Sequence, residues 1–319
     1  MRNILLVGLG GMGRVHLANY AYLGDRARVV AAVGKSDADR AFAATHGLDF
    51  YSDMEEAVRC HGGIDTIDIT TPSWLHRENV LQALALDCDV ICEKPLALSS
   101  RDAYDMYEEA HRRGRMLIPA LVCRYTKEFA LLKQAVEGGA YGRLKEVRFT
   151  RLSEKPAWSE GAWLLDRDRS GLVPFDLMIH DIDMMVALLG VSVELLWSAC
   201  GGGNHHHAAF RDAGGSLVLI ESGWLDACIP FEATWRAVFE HAVIVNSPSG
   251  VVLYPEGGVA KVLPVEYPVV VSTGINVPPT GWYYEELRSI VDTLEGRCDP
   301  ASCPDEVVHA LRLAEAVGS

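Results

Sequence analysis

The sequence predicts a two-domain α/β protein: an N-terminal doubly wound parallel sheet of the Rossmann kind, then a C-terminal α/β domain with a large, mostly antiparallel open sheet. Three observations carry this. Short apolar runs alternate with helical patterns over residues 1–121, and a glycine-rich turn separates the first strand from the first helix. From residue 142 onward the period changes to polar/apolar alternation with turn residues between short strands. A chain of 319 residues that is 49% hydrophobic is long and apolar enough for two cores. The division is placed at 1–121 and 122–319.

Ile4 to Val7 reads as a strand, Gly8-Leu9-Gly10-Gly11-Met12-Gly13 as a turn, and Arg14 to Leu23 as a helix. This is the context that the G-x-G-x-x-G spacing requires for binding a dinucleotide. Gly8 permits the tight turn, Gly10 lets backbone approach a pyrophosphate, and Gly13 lets helix and strand pack closely. Gly11 and Met12 belong to the same cofactor-binding loop. The second strand, Arg28 to Val33, is followed by Gly34-Lys35-Ser36 where an NAD-binding fold carries an acid for the ribose hydroxyls. Lys35 and Ser36 are suited to a 2′-phosphate, with Arg40 nearby, so NADP is expected over NAD. The alternative is that Asp37 or Asp39 takes the ribose.

A helix over Asp37–His46, a short strand at Phe50-Tyr51 and a helix opening at Asp53 continue the alternation. The strand Ile64–Ile69 leads into Thr71, Pro72, Trp74 and His76, which are predicted to line the nicotinamide side. His76 suits a helix start or a cofactor contact better than a catalytic role. A buried strand through Val90, Ile91 and Cys92 then stops at Glu93-Lys94-Pro95, where doubly wound sheets bind ligands. Pro95 restricts Lys94 to extended geometry, and the bond between them is open to a cis form. Read alone, this stretch is better taken as an ordinary strand exit. Ser99 to Asp102 cap a helix to Arg113, Met116–Ala120 completes the sheet, and Arg124 follows on its edge.

In the second half, a buried helix beginning at Pro174 carries Asp176, His180 and Asp183 at i, i+4 and i+7, on one face. A polar stripe on such a helix either satisfies itself, as a structural Asp-His pair does, or faces a cavity. Strands then dominate to Tyr254, and helices near Tyr283 and from Pro304 close the chain. His205-His206-His207 is read as an exposed loop, because three consecutive histidines do not easily share one metal. No metal is expected: the eight cysteines show no CxxC pair and no zinc-type spacing with histidine. A net charge of −14 without long like-charge runs argues against nucleic acid or an anionic membrane as partner. With no apolar targeting region and no run of eighteen apolar residues, a cytoplasmic protein is expected.

Gly8 to Gly13, Thr71-Pro72, Glu93-Lys94-Pro95 and Asp176 to Asp183, in that order and at those separations, resemble the Gfo/Idh/MocA family of NAD(P)-dependent oxidoreductases. The resemblance spans nearly the whole chain. It departs at Ser170-Gly171-Leu172, where the family often has a glycine pair. It implies a Rossmann domain and a C-terminal domain whose open sheet joins subunits into a homodimer or homotetramer. It also implies that Lys94, Asp176 and His180 form the catalytic group. By its cyclitol dehydrogenases it implies that Arg124, Asp183 and Tyr283 reach the substrate.

Hydride transfer needs a group that takes the hydroxyl proton and a donor for the developing alkoxide. His180 is expected as the acid/base, oriented by Asp176 or Asp183, with Lys94 bonding the reacting oxygen; the reverse assignment stays open. Glu93 either positions Lys94 or merely ends its strand. The expected substrate is a small polyhydroxylated molecule, a sugar, cyclitol or derivative. The rival readings are reduction of an imine or conjugated double bond, and a cofactor-sensing protein without chemistry.

Overall fold

The computed structural model describes residues 1–157, 159–275 and 277–319. Residues separate into two compact units, Met1–Ala97 with Arg101–Val122 and Tyr267–Pro304, and Leu98–Ser100 with Cys123–Glu266 and Asp305–Ser319.

The first unit alternates strand and helix: β1 (Arg2–Val7), α1 (Gly11–Tyr20), β2 (Ala27–Val33), α2 (Asp37–Thr45), β3 (Asp49–Tyr51), α3 (Met54–His61), β4 (Thr66–Ile69), α4 (His76–Ala85), β5 (Asp89–Glu93), α5 (Ser100–Arg113) and β6 (Leu117–Ala120). Its six strands are parallel in the order β3-β2-β1-β4-β5-β6, the doubly wound arrangement whose order reverses between β1 and β4. β4 and β5 are buried at every residue, as strands covered on both faces must be.

The second unit holds α6 (Lys127–Gly138), β7 (Leu144–Glu154), α7 (Arg167–Ser170), a π-helical turn over Pro174–Met178 and α8 (Ile179–Leu189). Then follow β8 (Glu194–Cys200), β9 (His205–Arg211), β10 (Leu217–Leu225), β11 (Glu232–Phe239), β12 (Ala242–Ser247), β13 (Gly250–Pro255) and β14 (Lys261–Leu263). They form one sheet in the order β14-β13-β12-β11-β7-β10-β9-β8, antiparallel except where β10 runs parallel to β7. Trp224 packs with Leu164, Val173 and Leu177, fixing the turn that leads into α8 against this sheet. The chain ends with α9 (Trp282–Leu294) and α10 (Pro304–Gly318).

The structure corrects two expectations. His205-His206-His207 is the start of β9, not a loop. The glycines at 201–203 make the turn, and His206, Ala208 and Phe210 alternate inward as the buried phase of a strand. The division at 121/122 also fails for residues 267–304, which return to the first unit. Leu287 and Val291 of α9 are fully buried against Ile4, Tyr20, Leu23 and Ala27, and Arg26 donates to Asp292 (2.7 Å) and Glu295 (2.6 Å). Among the described residues, no helix is long and apolar enough to cross a membrane.

Candidate functional site

The glycine turn has a distinct reason at each position. Gly8 has φ +98°, and a Cβ there would meet Thr70 and Thr71 backbone at 3.0 Å. A Cβ on Gly13 would lie 2.1 Å from the Gly8 carbonyl oxygen, so only glycine lets α1 rise this close to the turn. At Gly10, the residue before α1, a Cβ would meet nothing within 4 Å, and no side chain caps the helix. Gly10 and Gly11 are exposed and Met12 is half-buried. An uncapped helix start with open backbone fits a pyrophosphate.

After β2, the Lys35 and Ser36 backbone N–H groups both donate to Asp39 Oδ2 at 3.1 Å, and the Ser36 hydroxyl accepts from the Asp39 N–H to cap α2. Asp39 therefore serves the backbone of the turn. Lys35, Ser36 and Arg40 remain exposed, with the Arg40 guanidinium 4.5 Å from the Phe50 ring centre. On the next loop Thr71, Pro72 and Trp74 are half-buried, and Asn79 donates to the Thr71 hydroxyl. His76 is buried, with Nε2 2.8 Å from the Thr71 carbonyl and Nδ1 2.7 Å from that of Pro95. Burial lowers its pKa against the pull of those two carbonyls. It ties the loop after β4 to the segment after β5, a cofactor-loop support more than a proton carrier.

Beneath that segment is a network that sequence reading missed. His16, fully buried on α1, has Nδ1 2.8 Å from Asp68 Oδ2 and Nε2 3.2 Å from Glu93 Oε1. Tyr20 donates to the same Asp68 oxygen, and the other Glu93 oxygen accepts the backbone N–H of Lys94 at 2.9 Å. Glu93 thus holds the backbone of Lys94, whose peptide bond to Pro95 is cis and whose residue is half-buried. Burial opposes a charge on His16, but the Asp68 and Glu93 carboxylates outweigh it and raise its pKa well above the ordinary value. Burial likewise opposes charge on Glu93, and His16 and Lys94 overcome it, so its pKa falls. Glu286, from α9, is fully buried with neither carboxyl oxygen bonded among the described residues, and burial raises its pKa well above the ordinary carboxylate value. The visible signal was His16 and Tyr20 at i and i+4 on the buried side of α1.

The sign of the His16 shift sets a pH dependence. Its stabilisation is complete below the unfolded pKa of about 6.5 and is lost as pH rises through the raised folded value. Urea unfolding of the native chain and of His16→Gln from mildly acidic to alkaline pH checks this. The stability gap between them is expected to narrow with rising pH, and a constant gap would reject a charged imidazole.

In the second unit, the π-turn delivers Asp176 and the first turn of α8 delivers His180, both half-buried on an otherwise buried segment. Pro174, lacking an N–H, stands at the π-turn's first position. Just before it, Gly171 (φ +71°) would place a Cβ 2.5 Å from the Phe175 ring, and Leu172 keeps a left-handed φ of +59°. The three-residue face expected on this helix is divided. Asp183 turns both carboxylate oxygens to Arg124 (2.7–3.1 Å), which also donates to Glu306 at 2.6 Å. Both members of the Arg124–Asp183 pair have side chains only 3% exposed.

His180 meets another group that sequence reading missed. Its Nδ1 is 3.7 Å from the buried Cys123 thiol, which accepts from Arg151 at 3.6 Å; Arg151 in turn grips Asp181 with two bonds of 2.8 and 3.1 Å. Burial pushes the Cys123 thiol up to about 11, so it keeps its hydrogen at neutral pH. Arg151 was legible as an arginine on the inward phase of β7, between Phe149 and Ser153. Tyr283, 6% exposed on α9, belongs to the first unit.

These features coincide with one family in both halves. Residues 2–121 match the family of oxidoreductases with an NAD-binding Rossmann fold, and residues 129–250 match the GFO/IDH/MocA C-terminal domain. Among named relatives, the myo-inositol 2-dehydrogenase of Thermotoga maritima is 29% identical over 191 residues, 59% of this chain and 55% of that enzyme. Among solved structures, an oxidoreductase from Agrobacterium radiobacter in complex with NAD+, L-tartaric acid and magnesium superposes with a TM-score of 0.83 at 19% identity, over 99% of this chain and 94% of that one. A 3-ketoreductase from Actinomadura kijaniata in complex with NADP and TDP-benzene gives 0.82 at 14% identity, over 99% and 96%. With both of its halves matched and the glycine turn, Glu93-Lys94-Pro95 and the Asp176/His180 helix in place, the chain belongs to the Gfo/Idh/MocA oxidoreductases.

Proposed function

We propose that this protein transfers hydride between NADP(H) and a CH–OH/C=O group of a sugar, cyclitol or sugar derivative. The observation that carries the reading is the half-buried Asp176/His180 pair on a helix whose other acids, Asp181 and Asp183, are bound to arginines. An acid and an imidazole four residues apart, both partly accessible on an otherwise buried helix, are suited to proton transfer, and the dehydrogenase named among the relatives acts on a cyclitol by its name.

When bound, the nicotinamide supplies or accepts the hydride. His180 takes the hydroxyl proton during oxidation and returns it during reduction; Asp176 orients its ring, and Lys94 donates to the oxygen as charge develops there. Glu93 positions Lys94 by holding its backbone N–H. Arg124 and Asp183 act as one fixed pair that shapes the wall beside His180. Preference for NADP rests on Lys35 and Arg40, exposed at a turn where Asp39 is bonded to backbone N–H groups.

The test is a panel of sugars, cyclitols and sugar acids followed at 340 nm with NAD and NADP separately. Turnover of at least one polyol is expected, with NADP favoured and that preference reduced in Lys35→Ala. Preference for NAD by more than about tenfold, or about 1.4 kcal/mol, overturns the cofactor assignment. Activity confined to conjugated or imine substrates overturns the substrate class.

A further inference from the structure

The three histidines at the start of β9 do not act as a run. Strand alternation turns His206 inward, opposite Ser222 of β10, and leaves His205 and His207 together on the other face. Glu221 of β10 is the direct cross-strand partner of His207, and Gly223 that of His205. This places Glu221 diagonal to His205, within reach of both rings. His205 Nε2 is 3.0 Å from Glu221 Oε1, and the two imidazole rings have centres 4.5 Å apart. One ligand atom from each of the three residues lies within 4.8 Å of the other two.

Gly223 is an independent sign that the place is shaped. A Cβ there would stand 2.8 Å from His205 Cδ2, so the absent side chain is what lets the His205 ring lie flat toward Glu221. The His205 and Glu221 side chains are 27% and 30% exposed, sheltered yet reachable.

We propose that His205, His207 and Glu221 bind one borderline divalent cation, zinc(II) being the best match, with water completing its shell. Two imidazole nitrogens and one carboxylate oxygen are a zinc donor set, whereas magnesium and calcium take oxygens. The required bond lengths of about 2.0–2.2 Å are reached from so compact a group by side-chain rotation, with both strands held in register by the sheet. The ion displaces the proton shared between His205 and Glu221 and ties β9 to β10 through side chains. This site lies on the open sheet, away from the α8 residues assigned to catalysis.

Titration calorimetry with zinc chloride on the full chain, thiols kept reduced, decides the matter. The expected result is one zinc per chain, no heat with magnesium, and affinity weakened at least about tenfold by His207→Ala or by the near-isosteric Glu221→Gln. Gly223→Ala is expected to weaken binding by displacing the His205 ring. Circular dichroism and melting of each metal-free variant separate lost binding from lost folding. Absence of zinc binding, unchanged affinity in folded Glu221→Gln, or binding abolished by alkylating the exposed cysteines would overturn the assignment.

Discussion

Replacing His180 with alanine is expected to lower turnover by about 10²- to 10⁴-fold, the usual share of a positioned acid/base group. The loss should fall on kcat while affinity for the nicotinamide, bound by the first unit, stays near the native value. The Cys123 thiol, which burial keeps protonated at neutral pH, lies 3.7 Å from His180 Nδ1 and accepts from Arg151. Stopped-flow and steady-state assays of His180→Ala, with cofactor affinity measured by fluorescence, check the assignment; near-native turnover with intact cofactor binding would remove it.

The largest effect on stability is expected from Asp181→Ala, a loss of about 3–5 kcal/mol. The Arg151 guanidinium is buried with 8% side-chain exposure, and its only charged partner among the described residues is the Asp181 carboxylate. Removing the carboxylate strands a cation whose remaining acceptor is a thiol. Because the penalty comes from the orphaned charge, replacing both residues by apolar ones of similar volume should recover most of the loss. Urea unfolding of the single and double variants measures both quantities. A single-variant loss below about 1 kcal/mol would mean that water reaches the guanidinium.

The fold was readable because its signals are local. Apolar runs that stop at Gly8 and Lys94 mark strands of a parallel sheet, and the change of period after Gly142 marks the second sheet. The catalytic candidates were readable where chemistry and spacing coincide, at Glu93-Lys94-Pro95 and Asp176/His180. What escaped were partnerships between residues far apart in sequence. His16 lies 77 residues from Glu93 and Arg151 lies 30 from Asp181, and neither spacing has a period to announce it. The histidine strand was obscured by composition, since three polar residues beside glycines look like a loop until pairing with β10 supplies the missing half of the pattern. The return of α9 was invisible for a related reason: a helical pattern shows which face is buried, not which distant strand it covers.

That return splits the nucleotide-binding half along the chain, which leaves it after Val122, re-enters it at Tyr267 and leaves it again after Pro304. A fragment ending at residue 121 would carry every strand of the parallel sheet yet leave Tyr20 and Leu23 without Leu287 and Val291, and Arg26 without either of its acids. It would also lack Glu286, the one acid that α9 contributes beside the His16 network. The modularity here is that of two interleaved clauses, each interrupted by the other before it is finished. Recombination that trades cofactor preference between relatives therefore needs three crossovers, near residues 122, 266 and 304, and a single junction after β6 would join a sheet to a stranger's closing helix.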